Sequence, residues 1–261
     1  MPSQTTQPAA EFVWNPWHGC KKYSEGCQNC YVYRRDERVG RDASVLSKNR
    51  SFELPLAQDR HGGKKIPAGS TVYVCMTGDF FMDHPLVSVW RNEAWRIIRR
   101  RPDVAFTIIT KRIVRFFDCI PPDWHDGYDN VSLCCTMENQ RACDERLPVF
   151  LTLPIKHKAI ICEPLLTDID FHGQLSGFTK VVAGGESGPQ ARVCRYEWIL
   201  HIREQCLAAD TPFYFKQTGA LFSKDGKCYR VPRRFQHSQA QKAAINTCAR
   251  LGMPNFDVSD E

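Results

Sequence analysis

The sequence lacks a long hydrophobic run. No apolar stretch approaches the roughly 18 residues that a membrane helix needs, which excludes a protein that spans a membrane by helices. The first ten residues, MPSQTTQPAA, contain neither a basic start nor an apolar stretch, so we expect no secretory signal. Low-complexity blocks and internal repeats are also missing, and the composition excludes a disordered or collagen-like chain. We therefore expect a cytoplasmic protein without a membrane partner, and a monomer.

Cysteine, by contrast, is abundant, with 13 residues in a chain of 261. In a secreted domain, so many cysteines would indicate a disulfide framework. Because no secretory signal is expected, they indicate reduced thiols, some of which are ligands of a metal or a cluster. The chain is long enough for one large α/β domain or two small ones, and its core needs no disulfides.

The charge is mildly basic, with 35 Lys and Arg against 29 Asp and Glu and a formal net charge of +6. Part of the excess lies in one short run of four arginines: Arg96, Arg99, Arg100 and Arg101. Two interpretations stay open for this run. It is the solvated end of a helix, or it is a surface for phosphate or nucleic acid.

Short β-branched or aromatic runs alternate with mixed amphipathic stretches along most of the chain. The predicted strands are Glu11–Trp14, Thr71–Met76, Val104–Ile109, Asn130–Cys135, Lys158–Cys162, Lys180–Ala183 and Pro212–Phe215. The predicted helices are Val87–Arg100, Arg112–Cys119, Arg141–Leu151 and Tyr196–Ala209. This alternation predicts an α/β fold with a parallel sheet, and it favours a partial or full (β/α) barrel of six to seven strands. We expect the barrel to occupy residues 1–219 and a C-terminal cap to occupy residues 220–261.

Polar residues follow almost every predicted strand. The charged or hydrogen-bonding side chains that could bind a ligand are Asp79, Lys111, Glu138, Glu163, Glu186, Lys216 and Gln217. In parallel barrels and sheets, the carboxyl ends of the strands build the ligand site. The sequence therefore predicts that these groups converge on one mouth, although each taken alone is also compatible with an ordinary polar loop.

Three cysteines, Cys20, Cys27 and Cys30, follow the first predicted strand with the spacing C-x6-C-x2-C. Thiolates are soft ligands that suit zinc or iron–sulfur clusters. Three thiolates without a fourth ligand leave one metal position open, as a catalytic cluster requires. With His18 as a fourth ligand they would form a zinc site, and a third possibility is that they are unligated structural cysteines.

The cysteine segment, NPWHGC followed by SEGCQNCYVYRR, resembles the cysteine loop of radical S-adenosylmethionine (radical SAM) enzymes of the spore photoproduct lyase-like group. The chain is most similar to a phage-associated family of unknown function. That family shares the three cysteines and four further motifs, which stand here as Thr110–Arg112, Cys162–Leu166, Gly184–Gly188 and Phe215–Gly219. The resemblance extends from about residue 12 to residue 219.

The resemblance implies a [4Fe–4S] cluster held by Cys20, Cys27 and Cys30, and S-adenosylmethionine bound at the remaining iron. An electron donor would reduce the cluster, and cleavage of S-adenosylmethionine would yield a radical that abstracts hydrogen from the substrate. By analogy with the lyases and from the basic residues, we expect a phosphate-bearing substrate, either a nucleotide or a nucleic acid. Two departures are visible. The first cysteine gap has six residues instead of three, and Gly-Gly-Glu, here ending at Glu186, follows the sixth strand instead of the second.

The ends of S-adenosylmethionine suggest roles for individual residues. We expect Asp79 to bind the ammonium, Lys111 to bind the carboxylate or the substrate, and Tyr31 to pack beside the cluster. The remaining candidates are Ser132 and Glu138 for the ribose hydroxyls, and Glu163, Glu186, Lys216 and Gln217 for the substrate or the far side of the cofactor. We take Lys111, Glu163 and Glu186 as the catalytic candidates. Alternatively, Tyr31 is a core aromatic, and the two glutamates form ion pairs with Lys111 or Lys216.

Beyond residue 219, the sequence predicts a hairpin around Asp225 and Gly226, followed by a short helix over Ala243–Leu251. Arg233 and Arg234 either meet a substrate phosphate or belong to a solvated basic hairpin. A different class of function also stays open, a zinc-stabilised nucleic-acid-binding module without catalysis. It uses the same cysteines and arginines but leaves the polar strand ends unexplained. A barrel enzyme without a metal is the third interpretation.

Overall fold

Seven parallel strands form the centre of the protein in the computed structural model, which describes residues 9–248. They are β1 (Glu11–Trp14), β2 (Thr71–Val74), β3 (Ala105–Thr110), β4 (Val131–Thr136), β5 (His157–Cys162), β6 (Lys180–Gly184) and β7 (Phe213–Gln217). All seven predicted strands are present, with boundaries within two residues of the prediction. Their β-branched and aromatic residues suit a pleated surface that is buried on both faces.

The strands lie in the sheet in the order in which they follow one another along the chain. Each pairs in parallel with its neighbours, from β1 beside β2 to β6 beside β7. A doubly wound sheet would reverse direction at a switch point, whereas here every crossover advances the same way. Among the described residues no pairing joins β7 back to β1, so the curled sheet is a half-barrel. The predicted α/β partial barrel is confirmed.

Within the described residues, six helices connect or follow the strands. They are α1 (Tyr31–Arg38), α2 (Pro85–Arg99), α3 (Phe116–Cys119), α4 (Gln140–Thr152), α5 (Tyr196–Ala208) and α6 (Arg233–Lys242). Three 3₁₀ turns complete the helical segments: Glu25–Cys27, Leu54–Leu56 and Ile113–Arg115. The predicted helices between β2 and β3, β4 and β5, and β6 and β7 are confirmed. The predicted helix after β3 is a 3₁₀ turn followed by the single turn of α3, and α1 was not predicted.

The two faces of the sheet differ in what covers them. On one face, alternate strand residues such as Val74, Phe106 and Ile160 join helix residues such as Trp95 and Ile199 in the large hydrophobic core. On the other face, a small separate cluster forms the concave surface: Tyr73, Cys134, Ala159, Ile161, Val182 and Tyr214. This alternation follows from the two-residue period of a strand. The concave surface therefore has room for a cavity.

The C-terminal segment forms a hairpin of β8 (Leu221–Lys224) and β9 (Lys227–Arg230), which confirms the predicted hairpin. Its turn residues, Asp225 and Gly226, both have positive φ, as a tight two-residue hairpin turn requires. The prediction of a helix from residue 243 is wrong over residues 243–248, because the helix lies earlier, as α6; residues 249–251 lie outside the described residues. No helix within residues 9–248 is long and apolar enough to cross a membrane.

Candidate active site

A cavity with a volume of about 230 Å³ opens where the strands end. The curled sheet brings the carboxyl ends of β2, β3, β4, β5, β6 and β7 to this one place. Ten of the residues predicted from the sequence line it: Cys20, Cys27, Cys30, Tyr31, Asp79, Lys111, Glu163, Glu186, Lys216 and Gln217. These side chains therefore converge on one mouth, as the positions of the polar residues after the strands predict. Several of them have partners there that the sequence does not predict.

The three cysteines of the motif differ from most of the others in exposure. Cys20, Cys27 and Cys30 are half-buried and line the cavity, whereas eight of the remaining ten cysteines are buried. Burial, with the nearby charge of Asp79, raises the pKa of the Cys20 thiol to about 12. Burial also raises the pKa of Cys30, although the first amides of α1 bind its sulfur and oppose that effect. A coordinating metal ion would remove these protons, because it deprotonates a thiol outright.

The donor chemistry of these cysteines suits an iron–sulfur cluster. Within residues 9–248, no group of three or more His, Cys, Asp and Glu side chains is arranged to hold a single metal ion. A [4Fe–4S] cluster uses a different arrangement, since each cysteine binds a separate iron atom. Three soft thiols at one cavity are the type of ligand that such a cluster takes, and the same lining also contains Cys75 and His237.

His18, the alternative fourth zinc ligand, is used elsewhere. Its Nε2 atom lies 2.5 Å from Oδ2 of Asp36, a buried carboxylate on α1. His18 does not contribute to the cavity lining. Its contact with Asp36 fixes the chain just before Cys20 against the helix that follows Cys30, so we assign it a structural role.

The first attachment of the cysteine loop (residues 20–30) is made by Asp79 and Arg112. The guanidinium lies 3.1 Å from the Asp79 carboxylate and also donates a 2.7 Å hydrogen bond to the carbonyl of Lys21. The Asp79 carboxylate accepts hydrogen bonds from four donor residues: Phe81, Thr110, Lys111 and Arg112. A carboxylate offers about four acceptor positions, so this one is fully used. The structure therefore makes Asp79 a positioning residue, contrary to the expectation that it binds an ammonium.

The second attachment is a fully buried ion pair between Glu138 and Arg146, 2.7 Å apart. The Glu138 carboxylate also accepts hydrogen bonds from the Ser24 hydroxyl and from the Gly26 amide. Burial alone would raise the pKa of Glu138, but the charges of Arg146 and Lys111 and the Ser24 hydrogen bond hold it below its ordinary value of 4.5. Glu138 thus lies under the loop, and it does not line the cavity as expected for a ribose ligand.

Ser132 was the other candidate for the ribose hydroxyls. It is the second residue of β4, which places it at the amino end of the strand. The cavity lies at the opposite end, and Ser132 is not part of its lining. The expectation for Ser132 is wrong, because a residue at the start of a parallel strand lies at the end of the sheet away from the mouth.

The third attachment is made by Glu186 and Arg192. The Glu186 carboxylate lies 2.7 Å from Arg192 and accepts a 3.1 Å hydrogen bond from the Asn29 side chain. Arg192 also donates to the carbonyl of Glu25. Burial would raise the pKa of Glu186, but the hydrogen bonds from Arg192 and Asn29 outweigh it and lower the pKa below 4.5. The partner of Glu186 is therefore Arg192, instead of Lys111 or Lys216.

Tyr23 connects the first two attachments. Its ring lies 4.7 Å from the Arg112 guanidinium and 5.5 Å from that of Arg146. Cation–π contacts of this kind contribute about 0.5–1 kcal/mol at exposed sites. The six residues between Cys20 and Cys27 therefore contain three of the contacts that hold the loop to the barrel, at Lys21, Tyr23 and Ser24.

The wall opposite the cysteine loop is formed by the ends of β5 and β7 and by α6. Lys216 lies 2.7 Å from Glu163, so this glutamate forms the ion pair that the sequence left open as an alternative to a ligand role. The Gln217 amide donates a hydrogen bond to the same carboxylate. Arg233 and His237 of α6 complete the wall. Arg233 is one of the two arginines that the sequence offered for a substrate phosphate, whereas His237 was missed because an isolated histidine beyond the barrel carries no sequence signal. His237 donates from Nδ1 to the Lys216 carbonyl, and burial and the charge of Lys216 lower its pKa.

Lys111 and Tyr31 are the remaining candidates in the cavity. Within the described residues, no carboxylate forms an ion pair with the Lys111 side chain, and its charge acts to lower the pKa of Cys30. Tyr31 donates a 2.5 Å hydrogen bond to the Met76 carbonyl, and burial raises its pKa. Lys111 is therefore available to an anionic ligand, while Tyr31 joins the helix after Cys30 to the end of β2.

The arginine run at the end of α2 lies far from this site. It precedes β3 and so belongs to the amino end of the sheet, opposite the cavity. Arg99 pairs with Asp123, and the buried Arg101 binds the carbonyls of Pro55 and Ile66. Among the residues of the run, none lines the cavity, and the structure favours the interpretation of a helix end.

Comparisons with known proteins identify a family but no activity. No curated protein and no solved structure matches the chain. A family model described as a protein of unknown function (DUF5131) matches residues 4–249, which include the cysteine loop, every strand of the half-barrel and α6. The chain therefore belongs to the DUF5131 family, whose function is unknown.

Proposed function

We propose that this protein is a radical SAM enzyme that acts on a phosphate-bearing substrate, either a nucleotide or a nucleic acid. One observation carries the proposal. The three cysteines of the motif line the cavity at the carboxyl ends of the strands, while most other cysteines are buried in the core. Structural cysteines are usually buried and inert, so the exposure of these three at one cavity supports a ligand role.

Cys20, Cys27 and Cys30 would hold a [4Fe–4S] cluster. When bound and reduced, the cluster supplies the electron that cleaves S-adenosylmethionine. The protein's own contribution is to keep the three thiols in place and to leave one coordination position free of protein ligands. The attachments through Asp79, Glu138 and Glu186 support this role, since they fix the cysteine loop near each of the three cysteines.

Lys111 is the group best placed to bind the carboxylate of S-adenosylmethionine or an anion of the substrate. It follows β3, lines the cavity, and has no ion-pair partner among the described residues. A lysine that is already paired would have to exchange one anion for another, which gains little. Lys216, for comparison, already lies 2.7 Å from Glu163. The wall of Glu163, Lys216 and Gln217 would then face the substrate.

The concave face supports radical chemistry because it supplies an apolar floor. Met76, Ile109 and Ile161 line the cavity and pack against the small hydrophobic cluster of the inner face. A reactive intermediate needs a site from which water and stray donors are excluded, and apolar walls provide that. The polar groups are confined to the strand ends above this floor, where they can orient the substrate.

The test is purification without oxygen, followed by measurement of iron, sulfide and zinc and of S-adenosylmethionine cleavage on reduction. We expect brown protein with about four irons and four sulfides per chain, and methionine release that depends on the reductant. Colourless protein with about one zinc per chain and no cleavage would instead support the zinc-stabilised nucleic-acid-binding module and refute the enzyme.

A further inference from the structure

The short segment that follows the half-barrel is strongly basic. Residues 220–242 contain six basic residues: Lys224, Lys227, Arg230, Arg233, Arg234 and Lys242. The only acidic residue in this segment is Asp225, so its formal net charge is +5, against +6 for the whole chain of 261 residues. Such concentration is the electrostatic footprint of a surface that binds a polyanion.

Five of these six basic residues are exposed, all but the half-buried Arg233, and they have few carboxylates as partners. Within the described residues, no carboxylate forms an ion pair with four of them: Lys224, Lys227, Arg230 and Arg234. All four residues of β9 are exposed. Solubility alone does not require an excess of positive charge on an exposed hairpin, because a mixture of acidic and basic side chains keeps it equally soluble.

Two exposed aromatic rings lie among these cations. The Tyr229 side chain on β9 is 47% exposed, and the Phe235 side chain on α6 is 42% exposed. The Arg234 guanidinium lies 4.8 Å from the Phe235 ring. Aromatic rings interleaved with cations are the combination on which unpaired bases stack while the backbone phosphates meet the cations. The register of the hairpin places Lys224, Lys227 and Tyr229 on one of its faces and Arg230 on the other. We call Tyr229, Phe235 and the four cations without an ion-pair partner the cap surface, which includes both faces of the exposed hairpin.

The cap surface adjoins the cavity. The hairpin leaves the sheet directly after β7, and it returns through a hydrogen bond from the Val231 amide to the Ala220 carbonyl. The first turn of α6 follows at once, and its residues Arg233 and His237 line the cavity. A chain bound across the hairpin and α6 would therefore have a nucleotide next to the mouth.

We propose that the cap surface binds single-stranded nucleic acid and presents one nucleotide to the cavity. The step to chemistry rests on the proposed function, but the binding itself does not. Single strands are favoured over duplexes because exposed rings can stack only on unpaired bases. A polymer is favoured over a free nucleotide because the cations are spread over β8, β9 and α6, beyond the reach of one phosphate.

The experiment measures binding of fluorescein-labelled 12-nucleotide DNA and RNA to the full-length protein by anisotropy. The variants are Tyr229→Ala with Phe235→Ala, and Lys227→Ala with Arg230→Ala. We expect each pair to weaken single-strand binding at least tenfold, and the cation pair to reduce the slope of log affinity against log salt by about 1.4. A matching duplex should bind at least tenfold more weakly than the single strands to the unaltered protein.

Matched controls come from exposed residues that belong neither to the cap surface nor to the cavity lining. Phe117 is a 71% exposed aromatic on α3, and Arg96 and Arg100 are exposed cations at the end of α2. Phe117→Ala, and Arg96→Ala with Arg100→Ala, should change affinity by less than twofold. Thermal unfolding of every variant shows whether it is folded, so that loss of binding is not mistaken for loss of structure.

Three outcomes would overturn the inference: equal losses in the cap and control variants, duplex binding as tight as single-strand binding, or equal competition by a polyglutamate peptide. The last outcome would assign the surface to acidic proteins. Iron content and S-adenosylmethionine cleavage are measured on the same samples. Cap-dependent binding without iron contradicts only the proposed function, whereas normal iron and cleavage without cap-dependent binding contradict only this inference.

Discussion

The cysteine loop and the cap surface use the same residue type in opposite ways. Around the loop, the guanidiniums of Arg112, Arg146 and Arg192 each bind a carboxylate of the barrel and contact the loop or its carboxylate partners. On the cap surface, neither Arg230 nor Arg234 forms an ion pair with a carboxylate among the described residues. Both regions border the same cavity, one as its wall of cysteines and the other at its mouth.

The difference follows from burial. A charge removed from water must be paired, because an unpaired buried charge costs several kcal/mol. The three arginines around the loop are therefore each paired with a carboxylate. These ion pairs lie inside the protein, where they hold the cysteine loop in place. An exposed charge remains solvated and needs no partner. The positive charges of the cap surface therefore remain available to an anionic ligand from solution.

The largest effect separates cysteines of the two regions. Cys20→Ala, Cys27→Ala and Cys30→Ala should each remove most of the iron and all S-adenosylmethionine cleavage, because a three-thiolate site cannot lose a ligand and hold its cluster firmly. Cys228→Ala on the exposed hairpin should change neither. Iron analysis and methionine release measure both. Normal iron and full cleavage in any one motif variant would remove that cysteine from the ligand set.

The next effect compares a buried arginine with an exposed one. Arg146→Met leaves the Glu138 carboxylate buried without its cation and should lower the free energy of unfolding by about 3–5 kcal/mol. Arg230→Met on the cap surface should change it by no more than about 0.5 kcal/mol. Urea denaturation measures both variants. Adding Glu138→Gln to Arg146→Met should recover part of the loss, and equal stabilities of the two arginine variants would contradict the comparison.

A smaller effect compares two lysines without ion-pair partners. Lys111→Ala should lower turnover about tenfold, equivalent to about 1.4 kcal/mol of activation free energy, while the iron content and the thermal transition stay unchanged. In the absence of nucleic acid, Lys227→Ala should leave the rate of S-adenosylmethionine cleavage unchanged, because Lys227 lies outside the cavity. Anaerobic assay of methionine release tests both. Unaltered turnover in Lys111→Ala would make Lys111 an ordinary loop residue.

The smallest effect is a pH dependence confined to the loop attachments. The pKa values of Glu138 and Glu186 are lower in the folded protein than their ordinary value of 4.5. The unfolded chain therefore binds protons more readily, so these groups stabilise the fold above about pH 4.5 and that contribution is lost as the pH falls further. Urea denaturation at pH 7 and pH 4 should show a smaller difference for Glu186→Gln than for the unaltered protein. Asp225→Asn on the exposed hairpin turn should show the full difference, and equal differences in both variants would argue against the attachment.

The fold was predictable because its signals are local. Runs such as VYVCM and KVVA can bury both faces of a strand, and the helix Pro85–Arg99 repeats its apolar residues at a helical period. Parallel connections then bring the strand ends together whatever the details of packing. The helix Tyr31–Arg38 was missed because its sequence, YVYRRDER, has few apolar residues and is stabilised by contacts of Tyr31, Tyr33 and Asp36 with the rest of the chain.

The site was predictable only in part, for a physical reason that separates its residues into two groups. The sequence by itself determined which side chains stand at the carboxyl ends of the strands and which three cysteines lie together, since strand direction and spacing are properties of the chain. Tertiary structure alone decided their partners. Glu138 meets Ser24, Glu186 meets Asn29, and His237 enters the cavity from beyond the barrel. The strength of an ion pair or a hydrogen bond depends on distance and burial, and residues more than 100 positions apart acquire both only when the sheet curls.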